Sequence, residues 1–148
     1  MSTQRRLPVV WRPLLGRLVP YAFALAVLAF GGVFATTVPP TVSLAMRALF
    51  VVICVLVAAG LRMVGRCRLT ADERGLTVVN IASSRRLEWA EVIGVSMEVG
   101  ASWPTFDLAD GSVLAVMGIQ ASDGARARRA LAELRTLLDE RSAHEPGE

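Results

Sequence analysis

The sequence contains no lysine, and all 16 of its basic residues are arginine. This absence excludes a Schiff-base lysine and a phosphate-binding loop of the Gly-Lys-Ser/Thr type, because both need the lysine ammonium group. The single histidine, His144, lies four residues from the C-terminus, which excludes a histidine-activated nucleophile or a site with several histidine ligands. The composition therefore predicts a protein that is not an enzyme and that binds no cofactor or metal.

Cysteine is almost as scarce. The two cysteines, Cys54 and Cys67, are thirteen residues apart, with no histidine near them. They cannot form a disulfide framework or a metal site, and a reducing compartment would keep both as thiols.

The first half of the chain contains no acidic residue. Residues 1–71 carry eight arginines, whereas residues 72–148 carry eight arginines and thirteen acids, so the two parts have net charges of +8 and −5. The first acid, Asp72, marks the main boundary of the chain. The pI of about 9.6 could suggest a nucleic-acid partner. None is predicted, because most of the excess arginines flank apolar segments instead of forming one patch.

Apolar residues, in contrast, are abundant. They make up 53% of the chain against 20% charged residues, with a mean hydropathy of +0.49. Residues 18–38 contain no charge, and at about 1.5 Å per residue they cover the thickness of a bilayer core. Residues 43–64 contain only Arg47, about one turn from their start, where its side chain can reach the interface. The alternative for Arg47 is a functional ion within the membrane. The sequence thus predicts a transmembrane hairpin over residues 18–64.

Arginines flank the hairpin on both sides, and they predict its orientation. The connection between the spans contains Pro39-Pro40 and no charge, so the positive-inside rule places it outside the cell. A multi-pass protein of the plasma membrane is predicted, with both termini in the cytoplasm and residues 1–17 as a basic cytoplasmic segment. A cleaved signal peptide is the alternative, but 21 apolar residues exceed the usual signal core and a second span follows. The arginines nearest the hairpin are Arg5, Arg6, Arg12 and Arg17 before it, and Arg62, Arg66 and Arg68 after it.

Residues 66–141 predict one small α+β domain. Short alternating segments indicate a bent antiparallel sheet of six to seven strands, and Asp110-Gly111 between two of them is a strong hairpin signal. Ser122 or Asp123 is expected to cap a C-terminal amphipathic helix, whose leucines recur at a 3–4 spacing and would cover one open end of the sheet. Residues 142–148 are expected to be disordered.

Four segments of this region resemble the bacterial PH-like domain membrane proteins, and in particular the actinobacterial low molecular weight protein antigen 6 family. They are residues 69–76, 87–92, 108–112 and 123–130. The resemblance implies a PH-like fold and a binding module, and arginine-rich, alanine-rich usage fits a high-GC genome. It does not imply phosphoinositide binding, because the first turn, residues 71–75, has two acids beside one arginine.

The predicted function is a membrane-anchored cytoplasmic binding module, an adaptor or scaffold for a protein partner that the sequence does not identify. One alternative is a domain that senses anionic lipid at the inner membrane face; another is a structural subunit of a membrane complex, and small residues in the spans allow homo-oligomers. Trp103 is the candidate partner contact, whereas Trp89 is expected to fill the core. The candidate lipid contacts are Arg62, Arg66, Arg68, Arg85 and Arg86, the last two having a solvated strand edge as their alternative.

Overall fold

The computed structural model describes residues 7–143. It contains seven strands, three α-helices and two short 3₁₀ turns over Trp89–Glu91 and Ala121–Asp123. Arg5, Arg6 and His144 lie outside the described residues, as does most of the predicted disordered tail. In chain order the elements are β1 Val9–Trp11, α1 Leu15–Thr37, α2 Leu44–Gly65, β2 Arg68–Asp72, β3 Gly75–Val79, β4 Ser84–Leu87, β5 Val92–Ser96, β6 Thr105–Leu108, β7 Val113–Ala115 and α3 Ala125–Ala143.

The two predicted apolar helices are present, and they pack against each other as a hairpin. Both are long and apolar enough to cross a membrane. Their contact relies on small and aromatic residues: Gly31 lies against Cys54, and the rings of Phe34 and Phe50 are 4.2 Å apart. Arg47 does not point into the hairpin, because its guanidinium donates to the carbonyl oxygen of Pro39 at 2.7 Å, in the connection between the helices.

The predicted single bent sheet is wrong in one respect, since the seven strands form two antiparallel sheets. Their orders are β1-β2-β3-β4 and β5-β6-β7. The division falls at the 3₁₀ turn over Trp89–Glu91, which follows β4 and redirects the chain so that β5 pairs with β6 instead. All six strands expected after the hairpin are observed.

The seventh strand comes from the other side of the hairpin. Strand β1 pairs antiparallel with β2, with Val9 opposite Ala71 and Trp11 opposite Leu69. Both helices are therefore an insertion between two neighbouring strands of one sheet. The segment predicted only as a basic cytoplasmic stretch completes the domain, and Trp11 is buried in the core.

The core lies between the two sheets, and α3 closes one open end, as the leucine spacing predicted. Leu134, Leu137 and Leu138 of α3 are buried in it. Trp89 packs at its margin, and its indole N–H donates to the carbonyl oxygen of Asp72 at 3.1 Å. Asn80 joins the sheets, because its buried amide donates to Ala115 and accepts from the backbone N–H of Met117.

Candidate functional site: the junction of hairpin and domain

The start of α1 is bonded to the domain by one carboxylate. Asp123 accepts hydrogen bonds from the backbone N–H groups of Leu14 and Leu15, at 2.7 and 3.0 Å. These are unpaired donors at a helix N-terminus, where a negative charge is also favourable. The predicted role of Asp123 as the cap of α3 is therefore wrong. Gly124, at a φ of +56°, separates Asp123 from α3 and leaves its carboxylate free to face α1.

Two glycines let the elements approach closely at this junction. A side chain at Gly16 of α1 would overlap Gln120, which belongs to the segment leading to α3. A Cβ at Gly65, the last residue of α2, would lie 2.9 Å from the ring of Tyr21 on α1. The first contact packs the hairpin on the domain in addition to the Asp123 hydrogen bonds, and the second packs the two helices together where they reach the domain.

The segment between β1 and α1 is also held by the domain. The indole N–H of Trp11 donates to a carboxylate oxygen of Glu133 on α3 at 3.2 Å, and the side chain of Pro13 is fully buried. A groove of about 660 Å³ opens beside this segment. Its charged lining residues are Arg12, Arg17 and Arg126, the last from the first turn of α3.

The five arginines predicted as lipid contacts form two groups, one around the end of α2 and the start of β2 and the other on β4. Arg62, Arg66 and Arg68 lie at the end of α2 and the start of β2, and all three are exposed. Across residues 7–143 none of these three has a carboxylate within ion-pair distance. Arg85 and Arg86 lie on β4, with β3 between them and β2.

The arginines of β4 already have acidic partners. Arg86 pairs with Asp72 at 3.1 Å, and Arg85 lies 4.0 Å from Asp110. All four side chains are partly exposed, so these pairs stabilise the fold only weakly. They reduce the net charge of β4, which is an edge strand of its sheet.

Trp103 lies in the connection between β5 and β6, on the side of the domain near the hairpin. Its neighbour Ser102 accepts a backbone hydrogen bond from Ala121, in the 3₁₀ turn that contacts α1. The Trp103 side chain is 37% exposed. Unlike Trp11 and Trp89, it has no hydrogen-bond partner for its indole N–H in the part of the chain that the structure describes.

A second exposed feature, which the sequence did not predict, is the outer edge of β5. This strand pairs only with β6 in its sheet, and α3 packs beside it. A β-bulge between Val92 and Gly94 turns Ile93 outward, leaving its side chain 71% exposed. An exposed apolar side chain on an edge strand is a candidate contact for another chain. The bulge and the neighbouring helix restrict the part of the β5 edge to which an added strand could pair.

Among residues 7–143, two titratable groups have shifted pKa values. Burial raises the pKa of the Cys67 thiol, although the neighbouring Arg66 guanidinium partly offsets the increase. The hydroxyl and backbone N–H of Ser112 bond to the carboxylate of Asp110 and lower its pKa. Within residues 7–143, no three histidine, cysteine or acidic side chains are grouped so that they could hold a metal ion.

Comparisons with known proteins agree with this architecture. The sequence profile of the bacterial PH domain matches residues 66–137, which excludes β1 and the hairpin. Uncharacterized proteins of Mycobacterium bovis and of two Mycobacterium tuberculosis strains are each 35% identical over 133 residues, covering 86% of this chain and 84% of the relative. No solved structure matches the chain. The predicted resemblance is confirmed, and the chain belongs to the bacterial PH domain family.

Proposed function

We propose that this protein is a membrane-anchored cytoplasmic binding module that recognises a protein partner through the edge of β5. The hairpin spans the plasma membrane, and the PH-like domain lies against its inner face. The observation that carries the proposal is the exposed Ile93 on the edge strand β5, in a domain that is bonded directly to the start of α1.

Membrane insertion is supported by the surface of the two helices. Residues such as Leu25 and Leu56 are 71% and 65% exposed, although a water-soluble hairpin would bury side chains of this kind. Arg12, Arg17, Arg62 and Arg66 lie near the end of the hairpin that joins the domain, whereas Arg47 is the single arginine whose side chain reaches the Pro39-Pro40 connection in the described residues. By the positive-inside rule this charge asymmetry favours a cytoplasmic domain.

A fixed orientation of the domain supports the choice of partner surface. Strand β1 enters α1 through a connection that Asp123 and the burial of Pro13 hold in place, and α2 leads into β2 after two residues. Two short connections allow little rotation of the domain on the membrane. The β5 edge would therefore face one constant direction, ready for an extended segment from another membrane protein or a cytoplasmic one.

A second candidate function is recognition of anionic lipid. It is favoured by Arg62, Arg66 and Arg68, which are exposed beside the membrane and have no acidic partner in the described part of the chain. Each such arginine adds roughly 1 kcal/mol of attraction to an anionic leaflet. The contribution of Arg85 and Arg86 would be smaller, because Asp110 and Asp72 already neutralise them.

Photo-crosslinking in native membranes tests the first candidate. A benzoylphenylalanine at position 93 should capture a stoichiometric protein, which mass spectrometry would identify. Ile93→Lys should abolish co-purification of that protein, because a charge at a strand edge opposes strand addition. Val113→Lys is the matched control, since Val113 lies on the opposite edge strand of the same sheet and is 63% exposed.

The Val113→Lys control and a truncated chain of residues 1–66 separate the alternatives. Co-purification that survives Ile93→Lys contradicts a role for the β5 edge. A partner retained by residues 1–66 alone indicates a structural subunit recognised through its spans. Recovery of anionic lipid without any protein favours the second candidate.

A further inference from the structure

We propose that the groove between the start of α1 and α3 binds the phosphate of one anionic phospholipid, with an acyl chain of that lipid along α1. The inference rests on the proposed insertion of α1 in the membrane. The groove is distinct from Arg62, Arg66 and Arg68, and it is formed by Arg12, Arg17 and Arg126 together with apolar residues of α1.

Three arginines from separate parts of the chain line the groove, near the starts of α1 and α3. Arg12 follows β1, Arg17 lies in the first turn of α1, and Arg126 lies in the first turn of α3. No acidic residue lines the groove, and no carboxylate within residues 7–143 pairs with any of the three arginines. Guanidinium groups present paired N–H donors that match phosphate oxygens, so this end is suited to a phosphate.

The nearest carboxylates are already engaged. Asp123 and Glu133 border an adjoining cavity that also contacts Arg12 and Arg126. Asp123 accepts from the backbone of Leu14 and Leu15, and Glu133 accepts from the indole of Trp11. Hydrogen bonds from neutral N–H groups leave the negative charges of Asp123 and Glu133 in place, so they offset part of the positive field. The groove itself is lined by three arginines and no acid, and the remaining positive field favours an anion there.

The other end of the groove is apolar and follows the membrane helix. Leu18, Tyr21 and Leu25 line it, and all three side chains are exposed. From Arg17 to Leu25 the helix advances about 12 Å, the depth over which a lipid passes from its phosphate into its acyl chain. A free phosphate ion would leave this apolar wall uncovered, so the groove fits a lipid better than an inorganic anion.

The volume is consistent with this ligand. A cavity of about 660 Å³ can hold a headgroup, a glycerol and the first part of an acyl chain.

The charge of the groove predicts its selectivity, because a zwitterionic lipid would bring a choline cation beside three arginines. We therefore expect selectivity for a lipid with net negative charge.

Lipid titration of the full chain in a neutral detergent tests the inference, with bound lipid counted by native mass spectrometry. Dioctanoyl phosphatidylglycerol should bind with one tight site, and dioctanoyl phosphatidylcholine should bind at least about tenfold more weakly. The triple variant Arg12→Gln, Arg17→Gln and Arg126→Gln should weaken phosphatidylglycerol binding at least about tenfold. The triple replacement by lysine keeps the charge but loses the paired donors. It should therefore bind phosphatidylglycerol more weakly than the natural chain and more tightly than the glutamine variant.

A matched control changes the same charge elsewhere. The triple variant Arg74→Gln, Arg128→Gln and Arg135→Gln also removes three exposed arginines, none of which lines the groove. Equal loss in both triple variants overturns the inference, because binding would then depend on overall charge. Phosphatidylcholine that binds as tightly as phosphatidylglycerol overturns it too. Inorganic phosphate that displaces the lipid stoichiometrically would show a free-anion site, contrary to the proposal.

If the triple variant does not fold, a single substitution of the exposed Arg126, Arg126→Gln, should still weaken binding roughly fivefold. The titration uses detergent and needs no protein partner, so its failure is separable from that of the proposed function. Loss of the lipid site with intact crosslinking at position 93 would refute only this inference.

Discussion

At the scale of the residue, Asp123 bonds the start of α1 to the domain, and sequence spacing assigns it to the wrong helix. A serine or aspartate just before an amphipathic segment usually caps that segment. Here the carboxylate caps α1, whose first residue is 108 positions away. Its effect is to combine the anchor and the domain in one folded unit.

Replacing Asp123 by alanine should lower the free energy of unfolding by about 1 kcal/mol, the usual cost of losing a helix N-cap. Thermal unfolding of the full chain in detergent, followed by circular dichroism, would measure it. The neighbouring Ser122→Ala is the control, because Ser122 is exposed and has no hydrogen bond to α1. An unchanged stability in Asp123→Ala would contradict the capping role.

Asp110 provides a prediction for pH. The hydroxyl of Ser112 is the main cause of its lowered pKa, followed by the Ser112 backbone N–H. A carboxyl whose pKa is lowered on folding stabilises the fold above its unfolded pKa, and that contribution disappears as the pH falls through the folded pKa. Ser112→Ala should raise the pKa of Asp110, as read by NMR titration of the side-chain carboxyl carbon. No change in that titration would mean that the turn does not hold the carboxylate as described.

Among the elements, α1 and α2 associate through a narrow strip of close contacts. Gly31 permits this, since a Cβ there would lie 3.0 Å from the Cβ of Cys54, whereas a Cβ on Gly32 meets nothing within 4 Å. In a membrane, contact between helices depends on such packing because lipid is as apolar as the side chains. Gly31 and Gly32 are thus neighbours in α1, but Gly31 packs against α2 and Gly32 has open space around it.

Gly31→Val should destabilise the hairpin by about 1–3 kcal/mol through overpacking, and Gly32→Val should have little effect. Unfolding of the full chain in mixed micelles, with increasing dodecyl sulfate, would compare the two variants. Equal destabilisation by both substitutions would contradict the packing of α1 on α2.

The long elements could be predicted from sequence, and the short ones only in part. Apolar runs identify α1 and α2, and the leucine spacing identifies α3, because many residues contribute to each pattern. Strand β1 has three residues, and its partner Leu69 lies 58 positions beyond Trp11, so no local pattern reveals it. The sequence does not reveal the division into two sheets. Trp89 continues the alternation of apolar and charged residues that β4 begins, but in the structure it starts a 3₁₀ turn.

At the scale of the whole molecule, the domain is discontinuous: β1 precedes the helical hairpin, and the other strands follow it. The candidate groove has the same origin, because Arg17 and Arg126 are 109 positions apart in the chain. The pairing of β1 with β2 and the cap of α1 help to bring them together. Arginines that are neighbours in the chain, such as Arg85 and Arg86, can be recognised from the sequence. Arginines that only folding brings together cannot.

A domain of residues 66–143 alone should be less stable than one in which residues 7–13 are joined to residue 66 by a short flexible linker. The isolated domain lacks β1 and the buried Trp11, a loss of about 3 kcal/mol or more. Urea unfolding of the two proteins, followed by circular dichroism, would give the difference. Equal stabilities would show that β1 adds nothing to the domain.

The proposed membrane anchoring is tested most directly by cysteine accessibility in intact cells. Cys54 and Cys67 are only 6% and 2% exposed, so the natural chain gives a low background. Thr41→Cys lies in the connection between α1 and α2, and Glu73→Cys lies in the turn between β2 and β3. A membrane-impermeant maleimide should label position 41 in intact cells and position 73 only after the membrane is opened. Labelling of position 73 in intact cells, or protection of position 41, would contradict a hairpin that crosses the membrane and holds the domain at its cytoplasmic face.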